Sequence, residues 1–201
     1  MVNGALVVNQ AMAEEGRSGE RALVLRAQAG DREAFGQLVA LHMRRAYYAA
    51  LGLVGSHDDA LDLSQEAFAR AFRARAKLDP DRPFYAWLYQ IVRRLCFNHL
   101  RNRKTRTRRL QEATPWLTDQ AAARAAAIDP RRNAERSELR ERLQAAIDQL
   151  PDREREVLVL KEFESLRYRE IAELLDIPIG TVMSRLYAAR RHLAGSLEDL
   201  L

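Results

Sequence analysis

Residues Ser165–Leu186 read SLRYREIAELLDIPIGTVMSRL, and the fold of the whole chain follows from how this stretch divides. Ile171, Ala172, Leu174 and Leu175 recur at helical spacing and form the inner face of a first helix. Ala172 is small where a second helix must cross closely. Asp176 to Gly180 supply a short turn, and Pro178 prevents the first helix from continuing, since its ring removes a donor and clashes with the preceding turn. Val182, Leu186 and Ala189 then fall at i, i+4 and i+7, the apolar stripe of a second helix. Its other face carries Thr181, Ser184, Arg185, Tyr187, Arg190 and Arg191. Such a face suits a DNA major groove, where arginine reads guanine and hydroxyls contact phosphate. The segment reads as a helix-turn-helix rather than as a helical hairpin with a solvated basic face.

Upstream, Leu139, Leu143, Ile147 and Leu150 predict a helix that Pro151 stops, and Val157, Leu158 and Leu160 predict the next. Residues 103–133 differ in character. They begin with the basic run Arg103 to Arg109 and continue through an alanine-rich stretch with Pro115 and Pro130, the composition of a tether. Before it, a long helix is expected from Phe84 to about Asn102, with Phe84, Trp87, Leu88, Ile91 and Leu95 facing the core and Tyr85, Tyr89, Arg93 and Arg94 on the surface. The loop Asp79-Pro80-Asp81-Arg82-Pro83 precedes it. His57 to Arg75 reads as another helix, packed through Leu61, Phe68, Phe72 and the alanines at 60, 67 and 71. Gly30-Asp31 separates two helices between Glu20 and Leu51, with Asp31 as N-cap. Residues 1–20 show little periodicity and are expected to form a tail.

Composition excludes several classes. Of 201 residues 47% are hydrophobic and 30% charged, which is ordinary for a globular protein and wrong for a disordered one. The net charge is +5, and its distribution along the chain matters more than its sum. One cysteine, Cys96, excludes an internal disulfide or a cysteine-cluster metal site and is expected to be a buried thiol. His42, His57, His99 and His192 are scattered without ligand spacing. With no phosphate loop or nucleophile motif, neither catalysis nor a cofactor is expected. No apolar run has membrane-spanning length and the start is unlike a signal peptide, so a cytoplasmic protein without membrane insertion is expected, as is the lack of an appended sensor domain.

Two further stretches carry a resemblance. DALDLSQEAF at Asp59–Phe68 resembles the polymerase-binding helix of sigma factors, and PFYAWLYQIVRR at Pro83–Arg94 resembles their promoter-melting helix. With GTVMSR at Gly180–Arg185, the chain is similar to the extracytoplasmic-function sigma factors over roughly residues 20–102 and 134–195, in the family's order and spacing. The resemblance implies an all-α protein of two small helical domains joined by a flexible basic linker. A tail (1–20) would precede a region 2 bundle (21–102), a linker (103–133) and a region 4 helix-turn-helix (134–201).

It also implies roles. Asp62, Gln65, Glu66 and Arg70 would meet core RNA polymerase. Lys77, Arg82, Tyr85 and Tyr89, with Arg93, Arg94 and Arg101, would hold the melted minus-ten strand, aromatics and cations together suiting unstacked bases. Thr181, Met183, Ser184 and Arg185, with Tyr187, Ala188 and Arg191, would face the minus-thirty-five duplex. The family threads its linker toward the RNA exit path and is often sequestered by an anti-sigma protein. Free of both partners, the chain is expected to be a monomer. The sequence departs from the family at Arg94 and Asn98, where asparagine and aspartate are usual, at Leu61, where glutamate is common, and at Met183 and Ala188, where many relatives carry arginine. These departures bear on the promoter that is read, not on the fold. A different helix-turn-helix regulator would explain Ser165 to Arg191 but neither upstream motif, and an adaptor that has lost DNA recognition would keep the fold with Met183 and Ala188.

Overall fold

In a computed structural model of the chain, residues 18–113 and 142–198 are described, without the side chains of 107–113 and 197–198. All regular structure among them is helical. Helix α1 covers residues 18–28 and α2 Arg32–Val54; α3 is His57–Arg73, followed by a 3₁₀ turn at Arg75–Lys77, and α4 is Phe84–Ala113. Helix α5 covers residues 142–149, α6 Asp152–Glu162, α7 Tyr168–Leu175 and α8 Ile179–Glu198. By its contacts the chain divides into two units, Met1–Leu51 with Ser56–Cys96, and Gly52–Gly55 with Phe97–Leu201.

Local chemistry sets the breaks. Gly30 has φ +98°, a conformation that costs glycine little, and so ends α1. Asp31 then caps α2, its Oδ1 accepting from the amides of Glu33 (2.9 Å) and Ala34 (3.0 Å), as the sequence predicts. Ser56 caps α3 through the amide of Asp59 at 3.3 Å. Helix α1 starts by residue 18, inside the expected tail, and α4 runs past Asn102 to Ala113, because the basic run contains no residue that breaks a helix. The rest of the expected tail and tether, with Leu139, lies outside the described residues.

In the first unit the core forms around Leu38, Ala67, Phe68, Phe84, Leu88 and Val92. Phe35 meets Phe72 edge-on at 5.1 Å and Phe84 at 6.2 Å. Each aromatic so buried contributes about 1.5–3 kcal/mol. Cys96 is fully buried, and burial pushes its thiol up to about 12, as befits a structural cysteine. Leu61, expected in the core, is 40% exposed, and the buried position on that face of α3 is Ser64, whose hydroxyl donates to the Leu61 carbonyl at 2.9 Å.

In the second unit Leu150, Leu158 and Ala189 form a core cluster, and α8 packs on α6 and α7 through Val182 and Leu186. Asp176 takes a left-handed conformation (φ 54°) at the end of α7, which a short polar residue tolerates. The Ile177 amide reaches back to the Ala172 carbonyl at 3.0 Å, closing the helix end. The turn is shorter than expected: α8 begins at Ile179, so Gly180 lies inside it. Gly52 is needed for close approach, since a Cβ there would stand 2.6 Å from Val159 Cγ1.

Candidate nucleic-acid interface

On α3, Asp62 and Gln65 are exposed on one face, with Leu61 beside them. Glu66 is half-buried and accepts from Arg70 Nε at 2.7 Å, with Arg73 at 3.8 Å. The Arg70 hydrogen bond holds the Glu66 carboxyl below the usual glutamate range. The surface therefore carries one anion without such a brace, Asp62, and one already matched by its own helix.

On α4, Tyr85 (3% exposed) and Tyr89 (0%) are core residues, not surface aromatics. Tyr85 lies under the Arg45 guanidinium (3.7 Å to the ring centroid), stacks with His42 (5.9 Å) and leans on Tyr89 (6.1 Å). Neither ring offers a free face to a base. Trp87 and Ile91, expected in the core, are half-buried. The buried stripe is Phe84, Leu88, Val92 and Leu95 with Tyr85, Tyr89 and Cys96, one residue round the helix from the expected one. Lys77, Arg82, Arg94 and Arg101 are exposed cations as expected, and Arg93 is half-buried. Lys77, Arg82 and Arg94 belong to the first unit, Arg101 to the second.

Helix α1 braces the loop that leads into α4. Gln28 Nε2 donates to the Leu78 carbonyl (2.8 Å), and Arg21 pairs with Asp81 (3.0 Å). Glu20 accepts the Phe84 amide at 2.7 Å, one of the amides that a helix start leaves unpaired, and also accepts from His42 Nε2 at 3.1 Å. A cleft of about 330 Å³ lies between α1 and the loop, walled by Ser18, Arg21, Val24 and Pro80 to Pro83. Glu20 and Arg21 escaped the sequence reading because their partners lie some sixty residues away.

The His42 hydrogen bond, then the Phe84 amide, hold the Glu20 carboxyl below its ordinary value against the opposing effect of burial. With the folded value depressed, its contribution is complete above the unfolded value and is lost as pH falls through the folded one. Glu20→Ala is expected to cost about 1–2 kcal/mol at neutral pH, as loss of a helix cap does. Glu20→Gln should flatten the acid limb of the unfolding curve. Denaturant titrations across the acid range check both; an unchanged acid limb in the glutamine variant would remove Glu20 from this role.

In the second unit, Met183, Ser184, Tyr187 and Arg191 are exposed on α8, while Thr181, Arg185 and Ala188 are half-buried. The Ser184 hydroxyl donates to the Thr181 carbonyl at 3.1 Å, and Arg190 donates to Glu162 at 3.0 Å. At the start of α7, Arg167 and Arg169 are exposed, and the Arg167 amide donates to Glu170 Oε2 at 2.6 Å. Helix start and cations together suit a phosphate backbone. No group of three or more side chains suited to a metal ion occurs among the described residues, and no described helix is long and apolar enough to cross a membrane.

Two family models match the chain. Residues 38–106 match the family model for sigma-70 region 2, and residues 140–193 that for sigma-70 region 4. The chain is 35% identical over 187 residues to the RNA polymerase sigma-H factor of Pseudomonas aeruginosa, covering 90% of this chain and 95% of that protein. It is 34% identical to the ECF RNA polymerase sigma factor SigW of Bacillus subtilis, with 85% and 92% covered. Its identity to the ECF RNA polymerase sigma-E factor of Escherichia coli is 31%, with 90% and 96% covered. Among solved structures, CnrH in complex with the cytosolic domain of CnrY is similar at TM-score 0.62 and 29% identity, with 90% of this chain and 98% of that chain covered. The sigma factor RpoE in complex with the anti-sigma factor NepR from Bartonella quintana shares the fold at TM-score 0.55 and 24% identity, with 82% and 96% covered.

Proposed function

The chain belongs to the extracytoplasmic-function sigma factors, and on that premise we propose how its own residues divide the work of promoter-directed initiation. It is a transcription initiation factor that binds core RNA polymerase and directs it to promoters. The observation that carries this is the pairing of region 2 and region 4 on one chain, in family order, with relatives aligned over nearly their whole length.

Residues 21–102 serve as the polymerase and minus-ten domain, 103–133 as the linker, and 134–201 as the minus-thirty-five domain. In the first, Asp62 and Gln65 meet the polymerase, and Glu66 with Arg70 forms the ordered edge of that contact. Lys77, Arg82 and Arg94 attract the melted strand by charge, with affinity falling steeply as salt rises. Trp87 replaces Tyr85 and Tyr89 as the aromatic for base contact, because it is the one of the three with open surface. In the second domain α8 enters the major groove while Arg167 and Arg169 hold phosphates. The protein acts where the polymerase does, in the cytoplasm, and an anti-sigma protein is its regulatory partner, as the complexes of its structural relatives suggest.

Mapping transcripts made in vitro by core polymerase with and without the full chain tests the reading. New start sites sharing two upstream elements at fixed distances are expected. Failure to bind core polymerase would overturn it.

A further inference from the structure

Helix α8 satisfies its packing with one stripe and leaves another apolar stripe in water. Val182, Leu186 and Ala189 are buried, whereas Ile179, Met183 and Tyr187 are 43%, 53% and 70% exposed. The exposed three are four residues apart, so they share one face of the helix. Large apolar side chains gathered on one exposed face mark a contact surface more often than chance does. They stand in the first three turns of α8, toward the end of such a helix that reaches base edges.

The chemistry of that face selects its occupant. Of the groups that the major groove presents, only the C5-methyl of thymine is apolar; guanine and adenine need donors or acceptors. Around Met183 the polar side chains are partly committed, the Ser184 hydroxyl to the Thr181 carbonyl and Arg190 to Glu162. Arg167, Arg169 and Arg191 are exposed cations in the same unit, of the kind that contacts DNA phosphates. We propose that Met183, flanked by Ile179 and Tyr187, reads thymine methyl groups, so that the upstream element of this protein carries A·T pairs opposite these side chains. The inference rests on the functional reading above and adds the base that is read.

The test uses holoenzyme assembled from core polymerase and the full chain. Upstream elements are first selected from a randomised duplex, and each thymine of the selected element is then replaced singly by deoxyuridine, which removes the methyl alone. Binding is expected to weaken about fourfold at one or two positions, the worth of a buried methyl group. Met183→Ala should lose that sensitivity at the same position while keeping its affinity for core polymerase, and Met183→Arg should shift selection there toward guanine. Equal binding of thymine and uracil duplexes at every position would overturn the proposal, as would a sensitivity that persists unchanged in Met183→Ala. A holoenzyme that forms but selects no upstream element overturns the functional reading itself, which is a different result.

Discussion

Replacing Arg155 by alanine is expected to lower the stability of the second unit by about 3 kcal/mol. Arg155 is fully buried at the start of α6, yet its contacts point backward, to the end of α5. Its Nε donates to the Ile147 carbonyl at 3.0 Å, and its Nη2 to the carbonyls of Asp148 at 2.6 Å and Leu150 at 3.3 Å. A helix end leaves its last carbonyls short of intrahelical partners, although that of Ile147 also accepts from the Leu150 amide at 3.1 Å. Pro151 follows them and has no amide to donate. A buried acceptor left unpaired costs about 1–3 kcal/mol, and the alanine variant would also open a cavity. Burial draws the guanidinium below its usual value while Asp148 and Asp152 oppose that, and Nη1 is buried without a hydrogen-bond partner. Urea or thermal unfolding of the full chain measures the loss. Arg155→Lys should recover only part of it, because an ammonium cannot serve diverging carbonyls as a planar fork does. A loss below about 1 kcal/mol in the alanine variant would reduce Arg155 to a space-filling role.

Alanine at both Asp62 and Gln65 is expected to weaken binding to core polymerase by about 10- to 100-fold. A few central residues carry most of an interface's energy, each worth about 1–2 kcal/mol or more on truncation. Both side chains are exposed in the folded chain, so the double variant should keep its stability. Its binding to a minus-thirty-five duplex should also persist, since that task is proposed for α8. Glu66→Ala should act more weakly, because the Glu66 carboxylate already accepts from Arg70 at 2.7 Å and the change releases that arginine as well. Equal losses in polymerase and duplex binding would refute the division of labour between the two domains.

The helix-turn-helix was legible because its evidence is local. Pro178 stops a helix wherever it stands, and Val182, Leu186 and Ala189 make a buried stripe that the structure reproduces. The cap at Asp31 and the burial of Cys96 were legible for the same reason. On α4 local evidence was insufficient. Successive residues of a helix are about 100° apart, so Tyr85 and Tyr89 on one flank of Phe84 and Leu88 compete closely with Trp87 and Ile91 on the other. What decided between them lies on α2: His42 and Arg45 receive the Tyr85 ring. Serine at position 64 and leucine at 61 misled for a related reason, since a hydroxyl that can return its hydrogen bond to its own helix is cheap to bury.

By itself the sequence determined an all-helical chain of two parts, the positions of most helix ends, and through three motifs the family and hence the function. Only the tertiary structure decided which flank of α4 is buried, that Glu20 closes the start of that helix, and that Arg155 closes the end of α5. Helix formation and termination depend on neighbours within a few residues, whereas burial and hydrogen-bond completion depend on whichever element the fold brings alongside.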